Sequence, residues 1–130
     1  MDANRRLLID SHILIWLLYE PEKITDQTKT ALQTAEVVYF STVSLWELTL
    51  KFSKGKLAYQ PVELAKGVLE LNLERLALRD EHVLATLDIE LVHKDPFDAL
   101  LVAQSVIEGC TLVTADGNIL DSTYSTHDAR

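Results

Sequence analysis

The 130-residue chain has one cysteine, one methionine, three prolines and four glycines, and it carries few basic residues and no long apolar run. Each shortage excludes something. Cys110 alone cannot form an intramolecular disulfide, and no Cys/His cluster has zinc-ligand spacing, so zinc is not expected. Cys110 reads as a small buried hydrophobe. The longest apolar run near the N-terminus, Ile13 to Leu18, falls far short of the ~20 residues that span a bilayer. No basic segment with a small-residue cleavage site precedes it, so a cytoplasmic protein with no membrane attachment is expected. Twelve Lys and Arg stand against twenty Asp and Glu, for a net charge of −8. That deficit counts against a broad phosphate-binding face. It does not exclude a nuclease whose acids hold cations.

What is present is an ordinary apolar share of 48%, enough for one real core, without repeats, low-complexity tracts or a linker. A single domain over residues 1–130 is expected. Residues 6–10 (RLLID), 37–41 (VVYFS), 111–114 (TLVT) and, more weakly, 75–78 read as buried strands. Helical patterns cover 12–19, 26–35, 43–53, 62–72, 80–87 and 96–108. Strands alternating with helices imply a mainly parallel sheet covered on both faces, an α/β fold. The LLI of the first strand should be buried on both sides.

The acids acquire meaning on that frame. Asp10 ends the first strand, Glu47 lies about a turn and a half into the helix after VVYFS, and Asp116 follows TLVT. In HKDPFDALLVAQ, Asp95 suits an N-cap, Pro96 the first helical position and Asp98 the third. Any one of these acids has a structural explanation: a cap for Asp10, a helix-dipole partner for Asp98, a solvent-facing position for Glu47. The set is harder to explain that way. Four carboxylates at one rim repel unless a cation lies among them, and hard divalent ions such as Mg2+ or Mn2+ favour oxygen ligands alongside substrate phosphates. One or two such ions would serve phosphodiester hydrolysis. Asp88 and Glu90 need no explanation beyond solvation.

The blocks LLIDSHILIWLL, STVSLWELTLKFSKGKL, HKDPFDALLVAQ and GCTLVTADGNIL resemble, in order and spacing from about residue 6 to about residue 120, the PIN domain and within it the VapC-like ribonuclease toxins of toxin–antitoxin pairs. The resemblance implies a three-layer α/β/α domain and a Mg2+- or Mn2+-dependent endoribonuclease neutralised by a cognate antitoxin. Its acidic quartet falls on Asp10, Glu47, Asp98 and Asp116, both as metal ligands and as catalytic groups. Ser11 and Thr114 take the places of hydroxyl residues that orient carboxylates or water. The chain departs from the pattern at Ala99, where many relatives carry arginine, and at Gly117 and Asn118, where a proline or bulky residue is common. The tail DSTYSTHDAR makes a poor final strand.

Lys51, Lys54 and Lys56 lie in and just after the Glu47 helix, either as RNA phosphate contacts or as a solvated helix end. His12 is expected to be a helix-start residue, and His82, His93 and His127 surface residues. Trp16 and Trp46 read as core or interface aromatics. Helix 62–72 is apolar over more than one stripe, which suits a homodimer contact or the core. Two other readings share the frame. A catalytically idle binding module would act through a partner complex. A phosphatase or phospho-receiver is disfavoured because DSH is not DxD and no lysine stands where a receiver needs one.

Overall fold

A computed structural model describes residues 5–130. Five strands form one sheet, in the order β3-β2-β1-β4-β5: β1 (Arg6–Ile9), β2 (Val37–Ser41), β3 (Glu74–Leu76), β4 (Thr111–Thr114) and β5 (Thr126–Asp128). Every pairing is parallel, with Leu8 beside Tyr39 on one side and Leu112 on the other. The connections are α1 (Ser11–Tyr19) and α2 (Asp26–Thr34) between β1 and β2, then α3 (Thr42–Ser53) and α4 (Pro61–Glu70) before β3. Next come α5 (Asp80–Ala85) and α6 (Pro96–Glu108) before β4, and α7 (Gly117–Leu120) before β5. Among the described residues no helix is long and apolar enough to cross a membrane.

Period-two alternation divides the core between the two faces of the sheet. Leu7, Ile9, Phe40 and Val113 pack with α1, α2 and α4 through residues such as Ile13, Leu14, Leu64 and Val68. Leu8 and Leu112 face the other way, against Leu101, Val102 and Ala103 of α6. Leu7, Leu8 and Ile9 have no exposed surface, as expected for a central parallel strand. The sheet is thus the middle layer of an α/β/α sandwich. Where α1 crosses α4 the Leu18 side chain packs directly on Gly67, so that a Cβ there would lie 2.5 Å from Leu18 Cδ1. Helix α6 starts on Asp95, whose carboxylate accepts from the N–H groups of Phe97 and Asp98, and ends at Gly109 in a left-handed conformation with φ 67°. Both features follow from the PFD start and the glycine stop.

The tail forms only a short edge strand, β5, three residues in register with Leu112 to Thr114, in keeping with a poor final strand; it forms at all because it extends an existing parallel ladder. Several expectations change here. His82 is buried, not a surface residue. Its Nδ1 accepts from the Arg79 N–H at 3.0 Å, so the proton sits on Nε2, which donates to Glu108 Oε2 at 2.9 Å. Backbone cap and carboxylate together make burial of the ring tolerable. Gln104, also buried, lies 3.4 Å from that ring and accepts from the Ser41 hydroxyl at 2.5 Å. His127 is half-buried, with Nε2 2.9 Å from the Thr28 hydroxyl, and burial pushes its pKa down. His12 and His93 are exposed. Trp16 packs on the core, but Trp46 is 53% exposed, with its ring edge-on to Phe97 at 5.1 Å. Trp46 is therefore not a core residue. Cys110 is buried as expected.

Candidate metal centre at the carboxyl edge of the sheet

The strand order reverses between β1 and β4: β2 and β3 extend the sheet on one side of β1, β4 and β5 on the other. At such a switch point the connections leave in opposite directions and open a crevice outside the carboxyl ends of the strands. Asp10 directly follows β1 and Asp116 follows β4 by two residues, so both stand at that crevice.

Asp10 performs two tasks with its two oxygens. Oδ1 accepts from the Ile13 N–H at 3.1 Å and caps α1, while Oδ2 accepts the hydroxyl hydrogen of Thr114, the last residue of β4. The residue is only 4% exposed. Burial pushes its pKa up, and the Thr114 hydroxyl and Ile13 N–H oppose that rise by stabilising the charged form. The Thr114 oxygen in turn accepts from the Asp116 N–H at 3.0 Å. Asp116 caps α7 by accepting from the Asn118 N–H at 2.9 Å, and the Asn118 side chain donates to Asp98 Oδ2 at 3.0 Å. Across the crevice, the Ser11 hydroxyl donates to Glu47 Oε1 at 2.9 Å, and Lys51 Nζ lies 3.7 Å from Glu47 Oε2. A continuous series of short polar contacts therefore joins Asp10, Asp116 and Asp98. Ser11, the residue after Asp10, carries the series to Glu47.

Asp98 has the most perturbed carboxyl group. Its pKa is pushed up to about 7, first by desolvation and then by the negative charges of Asp116, Asp95 and Glu47, against the Asn118 hydrogen bond. The acids therefore sense one another. As the side chains stand, no three His, Cys, Asp or Glu among the described residues are placed as ligands of one ion. The donor chemistry nevertheless fits a hard divalent cation, with carboxylate oxygens only and mutual repulsion that a cation would relieve.

Of the three lysines, only Lys51 touches an acid among the described residues. Lys54, which caps the end of α3, and Lys56 are exposed about two turns beyond Glu47. Ala99 is 3% exposed and packs with the α6 side of the core, so position 99 points away from open solvent. A depression of about 330 Å3 beside the start of α6 is lined by Val83, Thr86, Lys94, Pro96, Ala99 and Leu100. Another, of about 460 Å3, lies at the opposite, amino edge of β2 and β3 and is unrelated to the acids. The sequence offers little hint of Asn118 as a member of the series, because its bonds depend on α7, a four-residue helix.

The model of the PIN domain family matches residues 7–123. No curated protein matches the chain in sequence. Among solved structures, the fold is similar to VapBC2 from Rickettsia felis bound to a DNA fragment from their promoter, with a TM-score of 0.69 and 13% identity over 96% of this chain and 99% of that one. It is also similar to a toxin–antitoxin complex from Klebsiella pneumoniae (TM-score 0.67, 14% identity, 95% and 98% covered). The fold is similar as well to FitAcB from Neisseria gonorrhoeae (TM-score 0.64, 17% identity, 95% and 97% covered). At these identities the structures speak for the fold, and the family model, which spans most of the chain, supplies the membership. The chain belongs to the PIN domain family.

Proposed function

We propose that this protein is a Mg2+- or Mn2+-dependent endoribonuclease of the VapC type, acting in the cytoplasm and neutralised by a cognate antitoxin. The observation that carries the reading is the series of hydrogen bonds that runs through Asp10, Thr114, Asp116, Asn118 and Asp98, with Ser11 holding Glu47 opposite. Asp10, Glu47, Asp98 and Asp116 are the groups that would hold one or two divalent ions. When bound there, such an ion would supply Lewis acidity towards water and the phosphoryl group. The chain supplies the rest. Asp10 is fixed by Ile13 N–H and Thr114, so its position is set by the sheet itself, and a rigid ligand loses little by reorganising. Glu47 is held by the Ser11 hydroxyl. Lys51, Lys54 and Lys56 extend from the acidic rim along and beyond α3, where they would meet RNA phosphates and lengthen the footprint past the scissile bond.

The partner reading draws on the similar structures, of which the Klebsiella pneumoniae one is a toxin–antitoxin complex. A basic side chain from an antitoxin segment, arginine above all, would pair with Asp10, Asp98 and Asp116 and neutralise the repulsion that a cation otherwise relieves. A homodimer is also proposed. Val62 and Leu69 of α4 are 63% and 74% exposed while Leu64 and Val68 of the same helix are buried, so the second apolar stripe is free to meet a second copy.

The test is incubation of purified protein with tRNA, ribosomal RNA fragments, unstructured RNA and double-stranded DNA, each with Mg2+, Mn2+ or chelator. RNA cleavage with either ion, none in chelator and little on duplex DNA is the expected result. Failure to cut any RNA with any ion refutes the nuclease and leaves the idle binding module.

A further inference from the structure

The Asn118 side chain has every polar site occupied. Its Oδ1 accepts from the His93 N–H at 2.9 Å, and Nδ2 donates to the His93 carbonyl at 2.6 Å and to Asp98 Oδ2 at 3.0 Å. A primary amide offers two hydrogens and one oxygen. Flipping this one would face NH2 with an N–H and face the oxygen with a carbonyl and a carboxylate, so the partners determine its orientation. The backbone N–H of Asn118 is in turn held by Asp116 Oδ1. One residue therefore ties α7 to the loop before α6 and joins two of the four acids. The same loop is fastened again by Tyr124, whose hydroxyl accepts from the Glu90 N–H at 2.9 Å, and by Ile89, buried at its start.

A pattern emerges across the site. Glu47 receives a hydroxyl from Ser11, Asp10 a hydroxyl from Thr114, and Asp98 an amide hydrogen from Asn118. Each donor occupies one carboxylate oxygen; the other oxygen of Asp10 is also taken, by the Ile13 N–H. For Asp98 the occupied atom is Oδ2; Oδ1 carries no hydrogen bond among the described residues. We infer that Asn118 is a positioning residue that fixes the Asp98 carboxylate through Oδ2 and leaves Oδ1 as the oxygen presented to a divalent cation. This rests on the metal-centre reading proposed above. Donors that orient a ligating carboxylate change metal affinity by about 10–100-fold when removed, and Asn118 acts at one remove from the ion, through Asp98. Because Asp116 holds Asn118, the third and fourth acids are placed as a unit.

The experiment is Mn2+ affinity of the full chain, by calorimetry or by electron paramagnetic resonance of free Mn2+, for the parent, Asn118→Ala, Asp98→Asn and the double variant. Asn118→Ala is expected to weaken Mn2+ binding by about tenfold or more, and to cause no further loss in the Asp98→Asn background. A merely structural role would lower the melting temperature yet weaken binding equally in both backgrounds, and that result overturns the inference, as does Asn118→Ala binding Mn2+ within about twofold of the parent. A parent that binds no Mn2+ removes the metal-centre reading itself, a failure visible without any variant. Should Asn118→Ala not fold, the side-chain amide signals of Asn118 in the parent decide. Protection from solvent exchange and a shift on Asp98→Asn substitution support the inference, and free exchange with no shift overturns it.

Discussion

Replacing Asp98 by asparagine should stabilise the protein in the absence of metal. The carboxyl pKa stands at about 7 in the fold, against an ordinary value of 3.8. Unscreened, a rise of that size corresponds to ~4 kcal/mol at 1.36 kcal/mol per unit. Asp98 is only partly buried, so solvent screening reduces this to ~1–2 kcal/mol. Two terms oppose the gain. A first-turn carboxylate interacts favourably with the helix dipole by ~0.3–1 kcal/mol, and the amide introduced by Asp98→Asn would accept from Asn118 as a neutral rather than a charged group, a weaker bond. The net expectation is ~1 kcal/mol, about 3–5 °C in melting temperature for a domain of this size. The sign can be followed with pH. The folded state holds the Asp98 proton more tightly than the unfolded chain does, so the parent loses stability as pH rises from 3.8 towards about 7 and levels off above. The Asp98→Asn variant lacks that slope. Thermal melts in chelator at about pH 4, 5.5 and 7.5 should show the variant's advantage growing with pH and vanishing near the acid end. Addition of Mg2+ should stabilise the parent clearly more than the variant, which keeps three of the four acids. A variant that melts below the parent at pH 7.5 in chelator, yet gains from Mg2+ as the parent does, would show that Asp98 is a helix-dipole partner in the first turn of α6 and not a ligand.

Asp95→Ala removes the acceptor for two N–H groups and should cost ~1 kcal/mol in urea unfolding, with Mn2+ affinity unchanged. His82→Leu keeps an apolar filling but strips the Arg79 N–H of its acceptor and leaves Glu108 with the Arg79 guanidinium alone, so a loss of about 2 kcal/mol is expected from the denaturation midpoint; a neutral result would mean that water replaces the ring. Gly67→Ala pushes the end of the Leu18 side chain aside where α1 crosses α4; overpacking of ~1–3 kcal/mol is offset by the ~1 kcal/mol that alanine gains over glycine inside a helix, so a net loss of about 1 kcal/mol is expected, again read in urea.

The central strands are legible in the sequence because Leu7, Leu8, Ile9 and Val113 are buried on whichever face they point to, and that leaves an unbroken apolar run. The start of α6 is legible for a local reason, since Asp95, Pro96 and Asp98 each do in the structure what their types favour. The elements that escape depend on distant partners. Helix α7 has four residues and stands on the Asp116 cap, and β5 exists by extending β4. His82 reads as a surface residue in DEHVLA because nothing nearby in sequence indicates Glu108 or Gln104. Asp10 reads as either a cap or a site residue. It caps α1 with one oxygen and receives the Thr114 hydroxyl on the other, so capping does not exclude a place in the site. Local spacing brings out the acids; what holds Asp98 in place, Asn118, depends on how the chain closes on itself.

The most direct measurement is the cleavage rate of one susceptible single-stranded RNA by the parent and by Asp10→Asn, Glu47→Gln, Asp98→Asn and Asp116→Asn, all verified as folded, in saturating Mn2+ and in chelator. Each substitution keeps the side-chain shape and removes one charge from the rim. Chelator should abolish cleavage by the parent, and every variant should lose about a hundredfold or more in rate. Undiminished cleavage by the parent in chelator, or parental rates for all four variants in Mn2+, would contradict the metal-centre reading.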